Sequence, residues 1–196
     1  MTPRALAAQA TRVAIAGCLM SVFWAPGPAP AAVNPRAPQF KTRDVRGTVL
    51  DLEALRRKGP VLVDFWATWC KPCLSSLTEL ERWHHEYGPN GLTVIGVSVD
   101  GPRNQAKVRP FAARMGLTYP IVVDRDDRLK QLYQVVAIPT AFLIDTSGAI
   151  TQVRLGYVPG EGEKLEGAIR ALLGQGTPPD AEDGASRGAG TDSLER

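Results

Sequence analysis

Short apolar runs alternate along this chain with segments whose apolar residues recur every three or four positions. The runs Val61–Phe65, Thr93–Val99 and Ala141–Ile144 are dominated by apolar residues, which is typical of strands covered on both faces of a sheet. The segment from 72 to 87 instead shows helical spacing. Its predicted inner face consists of Leu74, Leu77, Leu80 and Trp83. The two periods together predict an α/β domain.

The remaining segments follow the same two patterns and complete the predicted order of elements. Strands are predicted at 40–45, 48–50, 61–65, 93–99, 119–123, 141–144 and 150–153, and helices at 52–57, 72–87, 103–115, 127–133 and 161–173. Alternating elements of this kind predict a mixed central sheet with helices on both faces. The first two strands form an N-terminal hairpin, and the helix 103–115 with the strand 119–123 is an inserted pair.

The first 32 residues have the composition of an export signal rather than of a domain. Two arginines precede an apolar run from 13 to 24, and small residues then suit cleavage after Ala31 or Ala32. We therefore expect a periplasmic protein whose folded domain spans residues 33–173. Two alternatives stay open for the segment, an uncleaved membrane anchor and a lipoprotein signal processed at Cys18. A run of about 12 residues is short for a membrane-spanning helix, which needs roughly 20.

Charge and cysteine content narrow the kinds of partner. The tail 174–196 is rich in Gly, Pro, Ser and acidic residues and is predicted to be disordered. All 20 acidic residues but only 21 of the 23 basic ones follow residue 32, so the mature net charge is +1 (21 − 20). So small an excess does not predict nucleic acid as a partner. Cys18 lies in the export signal, which leaves Cys70 and Cys73 as the one pair of the mature chain.

The pair Cys70 and Cys73 has CxxC spacing and lies where the helix 72–87 begins. Unpaired N–H groups and the helix dipole favour a negative charge there, and therefore a thiolate at Cys70. Cys73, one turn further on, can close a disulfide with it. A zinc site would need two more ligands, and the neighbours His84 and His85 diverge by about 100° on a helix. We therefore expect redox chemistry without a metal or organic cofactor, and both histidines on a solvent-exposed face.

The motifs around this pair resemble those of the thioredoxin fold, and more closely those of the TlpA/ResA-like extracytoplasmic thiol-disulfide oxidoreductases. The resemblance covers about residues 38–173. It rests on four ordered blocks, which are Phe65-Trp66-Ala67-Thr68-Trp69-Cys70-x-Pro72-Cys73, Gly96-Val97-Ser98-Val99-Asp100, Tyr119-Pro120-Ile121-Val122-Val123-Asp124 and Ile138-Pro139-Thr140-Ala141-Phe142-Leu143-Ile144-Asp145-x-x-Gly148. The resemblance implies a thioredoxin-like fold and a dithiol–disulfide cycle.

The resemblance also implies roles for individual residues. Cys70 matches the attacking cysteine and Cys73 the resolving one. Pro139 matches the family's cis-proline beside the CxxC motif, and Asp64 matches the buried acid of thioredoxins, which takes part in proton transfer. Lys71 places a charge next to Cys70 and is expected to tune its redox chemistry. The residues implied to border the substrate are Trp69, Pro72, Ile138 and Thr140.

Four positions depart from the family pattern. Asp64 stands where many members carry Asn or a similar neutral residue. Ser76 and Thr78 stand where many members carry Glu and Pro in the active-site helix, so the acid of the site is expected on the preceding strand, at Asp64. Thr140 stands where the cytochrome-maturation subgroup usually carries Glu. This difference lowers the expectation of a role in reducing haem-attachment sites.

We expect the chain to reduce disulfides of exported proteins, and the resemblance implies cytochrome c or copper-enzyme maturation as the process. By the same resemblance a DsbD/CcdA-like membrane protein would supply the electrons, and the protein is expected to be a monomer. Two alternatives stay open. One is a peroxiredoxin-like peroxide reductase, although Thr68 does not have the Thr-x-x-Cys spacing. The other is a copper- or haem-handling binding module of the same fold, although no histidine follows His85.

Overall fold

The computed structural model describes residues 35–160 and 162–175, so the predicted export signal with Cys18 and the tail from residue 176 lie outside the described residues. The strands are β1 (Lys41–Arg43), β2 (Val49–Asp51), β3 (Val61–Trp66), β4 (Thr93–Ser98), β5 (Ile121–Val123), β6 (Thr140–Ile144) and β7 (Ile150–Leu155). The helices are α1 (Leu52–Arg56), α2 (Lys71–Tyr87), α3 (Gln105–Arg114), α4 (Arg128–Leu132) and α5 (Gly162–Leu172). Within the described ranges, no helix has both the length and the apolar character needed to cross a bilayer.

Five strands form one sheet in the order β5-β4-β3-β6-β7, and the predicted α/β fold with a mixed sheet is confirmed. Strands β3, β4 and β5 are parallel, whereas β6 is antiparallel to β3 and β7 to β6. Strands β1 and β2 pair separately as the predicted hairpin. Its turn is fixed by the Asp44 carboxylate, which accepts hydrogen bonds from the backbone N–H groups of Arg46 and Thr48.

Strand β3 is buried along its whole length, and its side chains alternate between two cores. The odd-numbered residues of 61–65 pack with the hairpin and α4 on one face of the sheet. Leu62 and Trp66 pack on the other face, against α2, α3 and α5. Asp64 lies between these two residues in the strand, so its side chain is directed to the face covered by α2. The strand therefore brings one acid beneath the helix that starts at the cysteines.

The buried face of α2 differs from the predicted one at a single leucine. The residues buried as predicted are Leu77, Leu80 and Trp83. Leu74 is 37% exposed, so its assignment to the inner face was wrong. Cys73 points inward at the start of the helix, and the next residue is rotated by about 100° from it. The inner stripe includes the polar Ser76 instead.

Strand β7 is longer than predicted. It continues two residues past the predicted end at 153, because Arg154 and Leu155 pair in register with Ala141 and Thr140 of β6. Leu155 is 71% exposed at this sheet edge, whereas the Arg154 side chain is only 11% exposed. A buried charge between exposed apolar residues reverses the usual alternation, which is why the pattern did not reveal the end of the strand.

Candidate active site

Cys70 and Cys73 lie at the amino end of α2 and are joined by a disulfide with their Cα atoms 5.3 Å apart. Cys70 is the N-cap residue, with extended backbone angles (φ −87°, ψ 102°), and its side chain caps no backbone group. Cys70 retains 6% exposure and Cys73 none. Cys70 is therefore the more accessible of the two cysteines.

The loop before Cys70 is held by a buried acid on the neighbouring strand. Asp100, at the end of β4, accepts hydrogen bonds from the Thr68 amide (2.9 Å) and the Thr68 hydroxyl (2.6 Å). The Ser98 hydroxyl donates a third, at 2.8 Å. Since Thr68 is two residues before Cys70, Asp100 fixes the approach of the chain to the reactive sulfur. In the sequence analysis Asp100 is only the last residue of the block that begins at Gly96, and the parallel pairing of β3 with β4 brings it to Thr68.

Asp64 is fully buried, and neither of its carboxylate oxygens has a hydrogen-bond partner among the described residues. Burial raises the pKa of Asp64 to about 8, with the Arg154 charge opposing the rise and the Glu79 charge adding to it. A buried carboxyl with no partner is most stable in its protonated form. At neutral pH this group therefore holds a proton that it can exchange near the pKa range of thiols.

Small residues flank Asp64 across the sheet. It pairs with Gly96 of β4 on one side and with Ala141 of β6 on the other. A Cβ atom at Gly96 would lie 3.0 Å from the Trp66 indole nitrogen and 3.0 Å from the Tyr119 ring. A side chain at Gly96 would therefore require the Trp66 and Tyr119 rings to move by a few tenths of an ångström.

A partly buried ion pair continues the row of Asp64. Ala141 pairs with both Asp64 and Arg154, so these two residues lie on one face two strands apart, about 10 Å between backbones. The Arg154 guanidinium pairs with Glu79 of α2 and donates to the Ser76 hydroxyl at 2.8 Å. Arg154, the positive charge nearest to Asp64 in this row, is therefore already paired with Glu79. Sequence spacing could not have found this pair, because its members are 75 residues apart.

The other predicted site residues are either exposed beside Cys70 or partly to fully buried at the start of β6 and in the loop before it. Trp69 is 62% exposed, and Lys71 and Pro72 are exposed beside it. Ile138 is partly buried, and the bond from it to Pro139 is cis. Thr140 is buried, and its hydroxyl donates to the Ala137 carbonyl at 2.7 Å. The Thr140 side chain therefore shapes the loop before β6 and presents no surface to a substrate.

The two histidines do not share the predicted exposed face. His85 is exposed and pairs with Glu81 at 2.9 Å. His84 is half-buried, with its ring edge against Tyr119, and burial lowers the pKa of His84. The expectation of solvent exposure was therefore wrong for His84. Within residues 35–160 and 162–175, no three His, Cys, Asp or Glu side chains are grouped as metal ligands would be.

The family model described as AhpC/TSA family matches residues 33–153. The thiol-disulfide oxidoreductase ResA of Geobacillus kaustophilus is 38% identical over 130 residues, which cover 66% of this chain and 73% of the relative. The ResA of Bacillus anthracis is 30% identical over 71% of this chain and 78% of its own length. A Chlorobium tepidum structure, assigned provisionally as the thiol:disulfide interchange protein DsbE, is 30% identical with a TM-score of 0.66, covering 71% of this chain and 96% of that one.

Proposed function

The chain belongs to the AhpC/TSA family and is a thiol-disulfide oxidoreductase of the ResA-like kind, and we propose that it reduces disulfides of exported proteins through Cys70 and Cys73. The observation that carries the proposal is the unequal access to the two cysteines. Cys70 reaches the surface at a helix amino terminus, and Cys73 is enclosed one turn further on. This arrangement suits an attacking sulfur and a resolving one.

In the first step, the Cys70 thiolate of the reduced protein attacks one sulfur of the partner's disulfide. A bond forms between Cys70 Sγ and that sulfur, the partner's S–S bond breaks, and its second sulfur leaves as a thiolate that takes up a proton. The free N–H groups of the first turn of α2 and its dipole stabilise the attacking anion. Lys71, exposed beside it, adds a positive charge on the solvent side.

In the second step, Cys73 loses its proton and attacks Cys70 Sγ. The mixed disulfide breaks, the partner leaves with its second thiol, and two electrons have passed from the cysteine pair to the partner. We assign the proton of Cys73 to the ionised form of Asp64, which lies on the sheet face covered by α2 and, with a pKa of about 8, is a minor form at neutral pH that increases as the pH rises. The Cys70–Cys73 disulfide of the structure is the product of this step.

The surface around Cys70 supports a protein substrate. The Trp69 indole stands out beside the sulfur, and the loop that ends at the cis bond before Pro139 joins β6 at the same end of the sheet. In this proposal Trp69, Pro72 and Ile138 contact the partner, and Pro139 sets the course of the loop. Thr140 acts only through the loop that it holds.

Export and electron supply complete the proposal. We place the mature domain in the periplasm, where it is released by cleavage near residue 32 and acts as a monomer. A membrane dithiol donor of the DsbD/CcdA type would reduce its Cys70–Cys73 disulfide again. The processes that it would serve are cytochrome c or copper-enzyme maturation. Mass measurement of the mature amino terminus tests the export proposal, because a lipidated Cys18 or an intact first segment would each give a different mass.

Trapping tests the reaction itself. With Cys73→Ala, the mixed disulfide cannot be resolved, so exported partners should remain attached to Cys70 and be identified by mass spectrometry after non-reducing purification. The matched control is Cys70→Ala, which keeps one cysteine of the pair and should capture nothing because Cys73 is enclosed. Equal capture by both variants, or by neither, would contradict the assignment of the two roles.

A further inference from the structure

A groove lies directly beside the loop that carries the attacking cysteine. It has a volume of about 510 Å³ and runs between Thr68-Trp69 and one side of α3. Its α3 wall is formed by Asn104, Lys107, Pro110, Phe111 and Arg114, among others. Trp69, which lines the groove, is the residue directly before Cys70, so the groove borders the loop that carries the attacking cysteine. This surface is separate from the loop of Pro139.

The charged residues that line the groove, Lys107 and Arg114, are both basic. The segment 101–115 contains four basic residues, Arg103, Lys107, Arg109 and Arg114, and no acidic one. Within the described part of the chain, none of these four side chains is in a salt bridge, although the described residues contain eight such pairs elsewhere. Asp100, the acid closest in sequence, is fully buried and faces Thr68.

The two basic residues of the groove are held in place. Lys107 donates to the Asn104 side chain at 2.9 Å, and the Arg114 guanidinium lies over the Phe111 ring at 5.2 Å. Phe111 in turn packs against Trp66 of β3 at 5.5 Å between ring centres. A charge fixed on a rigid wall loses less side-chain entropy on pairing than a free one. The wall therefore combines fixed positive charge with exposed aromatic surface at Trp69.

From this charge complementarity we infer that the groove binds an acidic, extended segment of the substrate protein, next to the disulfide that Cys70 reduces. The inference rests on the proposed reductase function and gives it a substrate preference. Carboxylates of the segment would pair with Lys107 and Arg114, while an apolar side chain would cover Trp69. The net charge of the mature chain is only +1 by residue count, so the preference would come from this groove and not from the protein as a whole.

The test compares three cyclic disulfide peptides that differ only in about three residues on each side of the ring: acidic, neutral (Ser) or basic. Pre-reduced protein, freed of reductant, is mixed with each peptide, and the second-order rate of the single turnover is read by acid quench and mass analysis. Two exposed ion pairs predict a rate for the acidic peptide about 2- to 30-fold above that of the neutral one at low salt. Near 1 M salt, where the screening length falls to about 3 Å, the ratio should approach one.

Charge reversal locates the effect. Lys107→Glu with Arg114→Glu should reverse the order of the acidic and basic peptides and leave the neutral rate within about twofold. The matched control is Arg109→Glu, which is compared with the single variant Lys107→Glu: each reverses one charge on the same helix, and only Lys107 lines the groove. The neutral peptide also reports whether each variant is folded and active.

The outcomes separate the two proposals. Reduction of all three peptides at similar rates, or an equal loss of preference in Arg109→Glu, overturns the groove inference and leaves the reductase function standing. Failure to reduce any peptide contradicts the proposed function itself. An acidic preference that vanishes only in the groove variant supports both.

Discussion

Replacing Asp64 by Asn should stabilise this protein, by an amount that grows with pH. The pKa of Asp64 is raised by burial from 3.8 to about 8. Between these values the unfolded chain carries an ionised aspartate while the folded chain keeps its proton. Folding must therefore take up a proton, and stability falls as pH rises, which is the opposite of the usual behaviour of a paired carboxylate. Asparagine has nearly the same shape and never ionises, so it removes this loss.

The size of the effect follows from the interval between the two pKa values of Asp64, 3.8 in the unfolded chain and about 8 in the folded one. Each pH unit between the two pKa values contributes about 1.4 kcal/mol. The free energy of unfolding of Asp64→Asn, minus that of the natural protein, should therefore be smallest at pH 4. Relative to pH 4, this difference should be larger by roughly 4 kcal/mol at pH 7 and should level off at roughly 6 kcal/mol above pH 8. A gain of this size is a large fraction of the stability of a typical domain.

Urea unfolding at a series of pH values between 4 and 9, with the disulfide intact, measures the difference directly. Asp44→Asn is the matched control, because hydrogen bonds from Thr48 and Arg46 outweigh burial and lower the pKa of Asp44. Its stabilising effect is present above pH 3.8 and lost in acid, so Asp44→Asn should be less stable than the natural protein by a constant amount from pH 5 to 9. Parallel stability curves for Asp64→Asn and the natural protein would refute the argument for a buried, protonated Asp64.

The same variant tests the proton-transfer role that we propose. If Asp64 accepts the proton of Cys73, Asp64→Asn should form the mixed disulfide at the natural rate and resolve it more slowly. Because only the ionised carboxyl can accept that proton, the resolution rate of the natural protein should rise with pH up to about pH 8, and this rise should be missing from the variant. Rapid quench with thiol alkylation separates the two steps. An unchanged resolution rate would mean that the proton of Cys73 leaves by another route.

Two further variants probe the groups that support the site. Arg154→Met removes the charge that opposes the raised pKa of Asp64, so a titration of the Asp64 carboxyl by NMR should shift to higher pH. The variant also leaves the partly buried Glu79 without its partner, which should cost less than the roughly 3–5 kcal/mol of a fully buried pair, and Arg154→Met with Glu79→Met should restore most of that loss. Asp100→Asn weakens the hydrogen bonds from Thr68 to the Asp100 carboxylate. Urea unfolding should show a loss of about 1.5–3 kcal/mol, and Cys70 should attack a small disulfide more slowly. The control Asp145→Asn loses similar bonds in the remote β6–β7 turn, so it should lower stability and leave the rate of attack unchanged.

The elements that were predicted correctly from the sequence are those with a regular local pattern of apolar residues or a clear terminal residue. Strands β3 and β6 are buried on both faces, so their apolar runs are unbroken and their positions are clear. The start of α2 is marked by the cysteines and by Pro72 in its first turn. The phase of α2 was less clear, because Cys73 and Ser76 occupy inner positions that leucines would usually mark, and Leu74 was assigned inward in their place. Local pattern records periodicity, but it does not record which neighbour a side chain meets.

The contacts that tune the site are non-local, and this is why spacing did not reveal them. Ser76 and Arg154 are 78 residues apart and meet only because α2 crosses the sheet above the edge strand β7. Thr68 and Asp100 are 32 residues apart and meet because β3 and β4 are parallel, so that both strands end at one edge. The second contact could have been inferred from strand pairing and the presence of an acid at the strand end. The first needed the register of three strands.

Burial keeps Asp64 protonated, and the placement of Arg154 limits how far its charge opposes that effect. In the row across the sheet, only Ala141 separates the two residues, and an arginine free to turn toward Asp64 would lower its pKa and bind it as a carboxylate. Glu79 and Ser76 hold the guanidinium on α2 instead, and Glu79 adds a negative charge that further disfavours ionisation of Asp64. The domain thus gives up several kcal/mol at neutral pH to keep a proton-bearing carboxyl beneath its cysteines. Such a loss is expected to persist where the group has a function that an asparagine could not perform.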